Sequence, residues 1–290
     1  MPKPLITVGE LIDQSWDVFR ARMSEFLSLS GWLLVTAILF AIALAFYPPA
    51  SKVVVGETLT GLENFGVILF AFTTYIVTPI ISFWVYLSLA KGVDAHLSRK
   101  SVQPKTLLRD AKPIFFPTLL TSIMVILMVI LAIVIGFAPP AILATLASLT
   151  NISAFIVFAN ILLVLGIFVS LFLSIKWVVY YFLAPYVTML DGTPAKLALA
   201  TSRQLIEGQF WSVLARIAVP KIVFLIFGAF AMSIIAYMVG ILIDASAGLN
   251  LDIQLRISTM TQTIIPIIIA VAINPLIIIS DVLLLKSLKS

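Results

Sequence analysis

The sequence predicts an all-α protein: a polytopic helical membrane bundle of six transmembrane helices, with amphipathic helices on the cytoplasmic side. Three observations predict it. Of 290 residues, 62% are hydrophobic and only 11% charged, against roughly 45–50% and 25% in a soluble domain. The mean hydropathy is +1.18. The apolar residues gather into long continuous runs, and the basic residues gather between alternate runs. Such a chain cannot cover itself with a water-facing surface. A soluble globular enzyme, a nucleic-acid-binding domain and a disordered scaffold are thereby excluded. Cysteine is absent and histidine occurs once, at His96, so no thiolate chemistry and no metal or other cofactor site is expected.

A membrane helix needs about 20 mostly apolar residues to cross a hydrocarbon core of roughly 30 Å. The first such run is about 26–47, closed by Pro48-Pro49, and the second about 65–90, closed by Lys91-Gly92. The third is about 114–138, closed by Pro139-Pro140, with the following stretch to Thr150 read as a short interfacial helix. The fourth lies within 152–190. As one straight helix it would reach about 58 Å, so it is expected to be broken or kinked around Lys176 or Pro185. The fifth is about 213–243 and the sixth about 257–285. Membrane barrels show short alternating segments instead. The whole of 1–290 is read as a single integral membrane domain.

Lysine and arginine are retained on the cytoplasmic side of a membrane. With the N-terminus inside and six spans, sixteen of the eighteen basic residues fall inside, and only Lys52 and Arg256 fall outside. Both termini are therefore expected in the cytoplasm, in a multi-pass protein of the cell (cytoplasmic) membrane.

Residues 1–25 read as a cytoplasmic amphipathic helix. Val8, Ile12, Trp16, Phe19, Met23 and Phe26 recur at helical spacing, and Thr7 with Glu10 makes a capping-box start. It lies either on the inner membrane surface or docked against the bundle. A second such helix spans 193–210, with Thr193 as cap and Pro194 at the first helical position. Ser15 to Met23 and Ser202 to Phe210 share a pattern leading into a span, and Pro104 to Pro113 occupies the corresponding place before the third. The plan is a three-fold parallel repeat of one amphipathic helix and two spans.

The stretch Trp177, Ala184-Pro185, Leu190-Asp191-Gly192, Ala198, Ser202, Leu205, Gly208 and Phe210-Trp211 resembles the glycerophosphoryl diester phosphodiesterase membrane-domain family. YciC-like uncharacterised bacterial inner-membrane proteins have a similar plan. The match covers about 35 residues, and Asp191 stands where the family usually has Glu. The resemblance implies a membrane module without the soluble phosphodiesterase barrel, for which six spans leave no room. Its motif residues Trp177, Pro185, Asp191, Gly192, Ser202, Gly208, Phe210 and Trp211 are read as structural.

Polar residues in or near spans are the candidates for chemistry. Lys176 either sits deep in the fourth span and needs a partner, for which Asn274 and Asp281 are suited, or marks the interface beside Trp177. Asp281 is read as an ion site or as an interfacial charge near Lys286. Asn274-Pro275 marks a cavity lining or a packing kink, and Arg216 and Lys221 are read as snorkelling side chains. Arg99, Lys100, Lys105, Arg109 and Lys112 form a basic loop suited to anionic lipid headgroups. No nucleophile–base pair or nucleotide fingerprint occurs. The expected function is a non-enzymatic module that organises membrane lipids or partner membrane proteins, without nucleic acid. The alternative is a small transporter or channel with a polar site around Lys176, Asn274 and Asp281.

Overall fold

The computed structural model describes residues 5–49, 52, 55–100, 103–245 and 251–289, and among them the chain is helical without strands. In chain order the elements are α1 (Val8–Ala21), α2 (Met23–Ala45), α3 (Gly61–Leu97), α4 (Pro104–Asp110), α5 (Lys112–Thr150), α6 (Ser153–Tyr181), α7 (Ala184–Asp191), α8 (Ala195–Ile206), α9 (Phe210–Ala245) and α10 (Leu251–Lys289). Six of these stretches are long and apolar enough to cross a membrane, with α6 and α7 together forming the fourth. This is the build of a multi-pass membrane protein. Large side chains such as Ile126 and Leu127 on α5 and Phe168 and Phe172 on α6 are exposed, as a helix dissolved in lipid requires.

The prolines redraw the expected boundaries. Pro139 and Pro140 do not close the third span, and 139–150 is not a separate interfacial helix: α5 runs unbroken from Lys112 to Thr150. In lipid a helix has nothing to gain by unwinding, because every freed backbone group would lack water. The fourth stretch divides at Phe182-Leu183, where Pro185 opens α7. In α3 a π turn at Thr73–Val77 immediately precedes Pro79. Such a bulge accommodates the ring where the regular hydrogen-bond ladder is interrupted. The helix expected over 193–210 is shorter, Ala195–Ile206, and Pro194 rather than Thr193 is its N-cap residue, with no side-chain capping bond.

The described residues divide into two compact units, one comprising Met1–Phe115 with Arg216–Ser287, the other Phe116–Ala215 with Leu288–Ser290. In the first unit the core is built from Phe26, Leu29 and Phe40 of α2, Leu87 and Leu89 of α3, and Ile279, Leu284 and Leu285 of α10, all buried. The Ser30 hydroxyl donates to the Val271 carbonyl at 2.7 Å, which ties α2 to α10 without leaving a polar group bare. Gly228 of α9 faces Ile269 and Ile273 of α10. In the second unit α5 and α6 cross through Gly136 and Gly166. A Cβ on Gly166 would lie 2.1 Å from the Gly136 carbonyl oxygen, so neither position has room for a side chain. Pro140, four residues on, has no N–H to give that carbonyl. The freed oxygen is thus the atom laid against Gly166, where a weak Cα–H contact is available.

The first helix buries only part of the row its sequence suggests: Phe19 and Phe26 are buried. Thr7 and Glu10 form the expected capping box. The Glu10 carboxylate accepts the Thr7 backbone N–H at 2.9 Å, and this bond, with the Thr7 hydroxyl, holds Glu10 below the usual carboxylate range. The buried row, however, is Leu11, Ser15 and Phe19, while Trp16 and Met23 are exposed. Ser15 is buried at no polar cost because its hydroxyl donates to the Leu11 carbonyl at 2.6 Å. The entry is fixed by Arg216 Nε, which donates to the Ile6 carbonyl at 2.5 Å. Trp16 meets Phe227 edge-on, with ring centroids 6.4 Å apart. Helix α1 is therefore docked along α9.

Candidate functional site

Charged side chains of the first unit cluster at the two ends of its long helices. At one end lie Lys286–Asp94 at 2.8 Å, Lys221–Asp281 and Arg22–Glu25 at 2.6 Å. At the other, Lys52 pairs with Glu63 at 3.0 Å, and Arg256 donates to the carbonyls of Leu44 and Ala45 at 3.1 and 2.5 Å. Along α10 the 25 residues from Arg256 to Asp281 span about 38 Å of helix. That length covers a hydrocarbon core of roughly 30 Å with its interfacial margins.

The expected polar constellation is rearranged. Lys176 is exposed and belongs to the second unit, whereas Asn274 and Asp281 belong to the first. Asp281 forms an ion pair with Lys221. Lys221 is accordingly an ion-pair partner on α9 rather than a snorkelling side chain. Asp281 is 3% exposed and sits beside buried Ser280, whose hydroxyl donates to the Ile277 carbonyl at 2.7 Å. Asn274 is half-buried, next to buried Pro275. Lys286 is taken up by Asp94 of α3. The chain places both residues toward the same end of consecutive antiparallel spans, but it does not give the depth at which each side chain lies. A lysine about three turns into an apolar helix is read as snorkelling only while no acid is known to sit at its depth. Among the described residues no three His, Asp or Glu side chains converge as a metal cluster.

The basic segment after α3 behaves differently. Arg99, Lys100, Lys105, Arg109 and Lys112 are all exposed. The segment is held from beneath by its apolar residues. Val93, Leu107, Leu108 and Ala111 are buried. Trp84 Nε1 donates to the Leu108 carbonyl at 2.9 Å, and Lys91 Nζ to the Asp110 carbonyl at 3.1 Å. Arg99 takes a left-handed backbone conformation, φ +55°, which ends α3 and turns the chain toward α4. The backbone at Leu108 and Asp110 is thus pinned while the basic side chains stay exposed. Arg109 lies 3.7 Å from Asp110 and is three-quarters exposed, a pair of little energetic consequence.

The motif over 177–211 forms a helix–turn–helix corner in the second unit. Gly192 closes α7 in the left-handed region, φ +69°, with its N–H on the Thr188 carbonyl. Asp191 accepts from Lys289 at 2.5 Å. Ser202 is buried and donates to the Tyr180 carbonyl at 2.7 Å, fastening α8 to the end of α6. Gly208, φ +85°, turns the chain into α9, where Phe210 packs against Tyr180 and edge-on against Trp211. Trp211 is 75% exposed, Trp177 is half-buried, and Pro185 sits in the first turn of α7. Thr121 and Thr188 share a buried hydrogen bond of 2.9 Å between α5 and α7. Compared with known proteins, the chain matches no family model, and no curated protein or solved structure is significantly similar to it.

Proposed function

We propose that this protein is a non-enzymatic module of the cytoplasmic membrane, with both termini in the cytoplasm, that gathers anionic lipid headgroups and holds partner membrane proteins among them. The observation that carries this reading is the exposure of Arg99, Lys100, Lys105, Arg109 and Lys112, with the backbone at Leu108 and Asp110 anchored by Trp84 and Lys91. Each basic side chain near an anionic leaflet contributes about 1 kcal/mol of attraction. A pinned backbone loses little further conformational freedom when lipid arrives. The same charges make 91–112 the strongest cytoplasmic retention signal in the chain. The resemblance of 177–211 to the membrane-domain family supports the same reading, since that motif is used here for turns and packing.

A transporter built on Lys176 would need that side chain turned inward, but it is exposed, and Asp281 is occupied by Lys221. The non-transporting reading is therefore favoured. Its test is the lipid retained by the full chain extracted from bilayers of phosphatidylcholine with phosphatidylglycerol. Phosphatidylglycerol should be enriched around the natural protein, and the enrichment should disappear when all five basic residues are replaced by glutamine. Equal retention by the two proteins would overturn the proposal.

A further inference from the structure

The second unit carries a cavity of about 440 Å³ between the end of α6 and the outer face of α8, lined by Tyr181, Leu199, Ala200, Arg203, Gln204 and Glu207. A volume of this size suits a small-molecule group rather than a few waters. Its polar lining is asymmetric. Arg203 stands in the last turn of α8, and Glu207 is the residue that caps it. They are four apart, a spacing that brings side chains to about 5–6 Å between Cβ atoms on a helix. Among the described residues neither forms an ion pair, although opposite charges at this spacing ordinarily do. The cap residue leaves helical geometry at ψ 131°, so the chain turns away after Glu207. A cation and an anion therefore flank one cavity without neutralising each other. Its floor is apolar, formed by Leu199 and Ala200 with the Tyr181 ring.

The depth is also marked. Lys176 and Trp177 precede Tyr181 by about one turn, and Trp211 is exposed at the start of α9. Tryptophan and basic residues of this kind collect at the headgroup level of a bilayer. A ligand that met both charges would present an anion and a cation a few atoms apart, over acyl chains.

We infer that this groove binds a phosphoethanolamine-type group, with its phosphate on Arg203 and its primary ammonium on Glu207, presented by a phospholipid of the surrounding leaflet. Guanidinium matches phosphate as a two-pronged donor, and the ammonium N–H groups give Glu207 charge-assisted hydrogen bonds. The Gln204 amide and Tyr181 hydroxyl serve the remaining phosphate oxygens. A trimethylated choline head has the charge but no N–H, so the groove discriminates against it. This site is separate from the basic segment 99–112 and does not depend on it.

The full-length protein is exchanged into nanodiscs of phosphatidylethanolamine, phosphatidylcholine and phosphatidylglycerol, and the lipid retained after mild extraction is quantified by mass spectrometry. Phosphatidylethanolamine should be enriched over phosphatidylcholine. Arg203→Gln should lower its retention about tenfold or more, the loss of a hydrogen-bonded charge. Glu207→Gln should bring the two lipids to equal retention, and Ala200→Leu should exclude both. Lys196→Gln, on the same helix but outside the groove, should change nothing. Equal retention of the two lipids by the natural protein would overturn the inference, as would unchanged retention in Arg203→Gln and Glu207→Gln variants of normal thermal stability. Water-soluble phosphoethanolamine binding with the same variant dependence, in the absence of lipid retention, would overturn the assignment to a phospholipid.

Discussion

The Lys221–Asp281 pair is asymmetric, and this asymmetry makes a sharp prediction. The Asp281 side chain is 4% exposed and the Lys221 side chain 23%. Removing one partner of a buried pair costs about 3–5 kcal/mol, because the other charge is left without compensation. Lys221→Met removes the ammonium from a carboxylate with almost no access to water, so a cost of about 3–5 kcal/mol is expected. Asp281→Leu removes the carboxylate from an ammonium that is partly exposed on a flexible four-carbon stem. Its cost should be about half as large, roughly 2 kcal/mol, since part of the lost pairing is recovered from water and headgroups. Replacing both residues should restore stability to within about 1 kcal/mol of the natural protein, because no charge is then left buried. The assay is reversible unfolding in detergent micelles, followed by helical circular dichroism across a double-mutant cycle. An Asp281→Leu variant less stable than Lys221→Met, or a double variant whose loss equals the sum of the single losses, would refute the reasoning.

Other outcomes follow from single contacts. Gly166→Ala should separate α5 from α6 and cost about 1–3 kcal/mol, since the added Cβ meets a backbone oxygen that cannot rotate away; Gly31→Ala, with nothing within 4 Å, should not destabilise, and equal losses in the two variants would refute the close crossing. The lowered Glu10 carboxyl stabilises the start of α1 above the ordinary glutamate range, and that contribution is lost as pH falls through the lowered folded value. Amide exchange at the first turn of α1 should accelerate over that window in the natural protein, and a Glu10→Gln variant with the same pH dependence would refute the capping account. Gly192→Ala should cost about 1–2 kcal/mol, the strain of a Cβ in left-handed backbone, read as a lowered unfolding midpoint; no change would mean that the α7–α8 turn relaxes.

Composition and run length were sufficient for the class of this protein. A chain with this much apolar surface and this little charge has only helices of membrane length available to it, and the six runs could be counted directly. The capping box at Thr7 was similarly local, since the four residues to Glu10 contain both donor and acceptor. Helix ends at prolines were not local. Pro139 and Pro140 stop a helix in water, where freed carbonyls find solvent, but α5 continues through them because the Gly136 oxygen is accommodated at Gly166.

The candidate polar residues divide along the same line. The exposure of Arg99, Lys100, Lys105, Arg109 and Lys112 could be read from their density, because a run of like charges has nowhere to go but solvent. The partner of Asp281 could not. Helical periodicity gives the face on which a charge lies but not the depth at which the neighbouring span presents its own. Lys176 and Lys286 were the lysines considered beside Asp281, Lys221 was read as snorkelling, and only the packing of α9 on α10 brought Lys221 to Asp281. The same holds for α1, whose apolar row through Trp16 looked like the packing face until Arg216 and the Ile6 carbonyl set its entry and turned Leu11, Ser15 and Phe19 inward. The sequence alone determined that the solvent is lipid and where the charges gather, because both follow from sums over residues. Only the tertiary structure decided which charges meet, because an ion pair forms between side chains of equal depth on neighbouring helices, and depth and neighbour are properties of the packing.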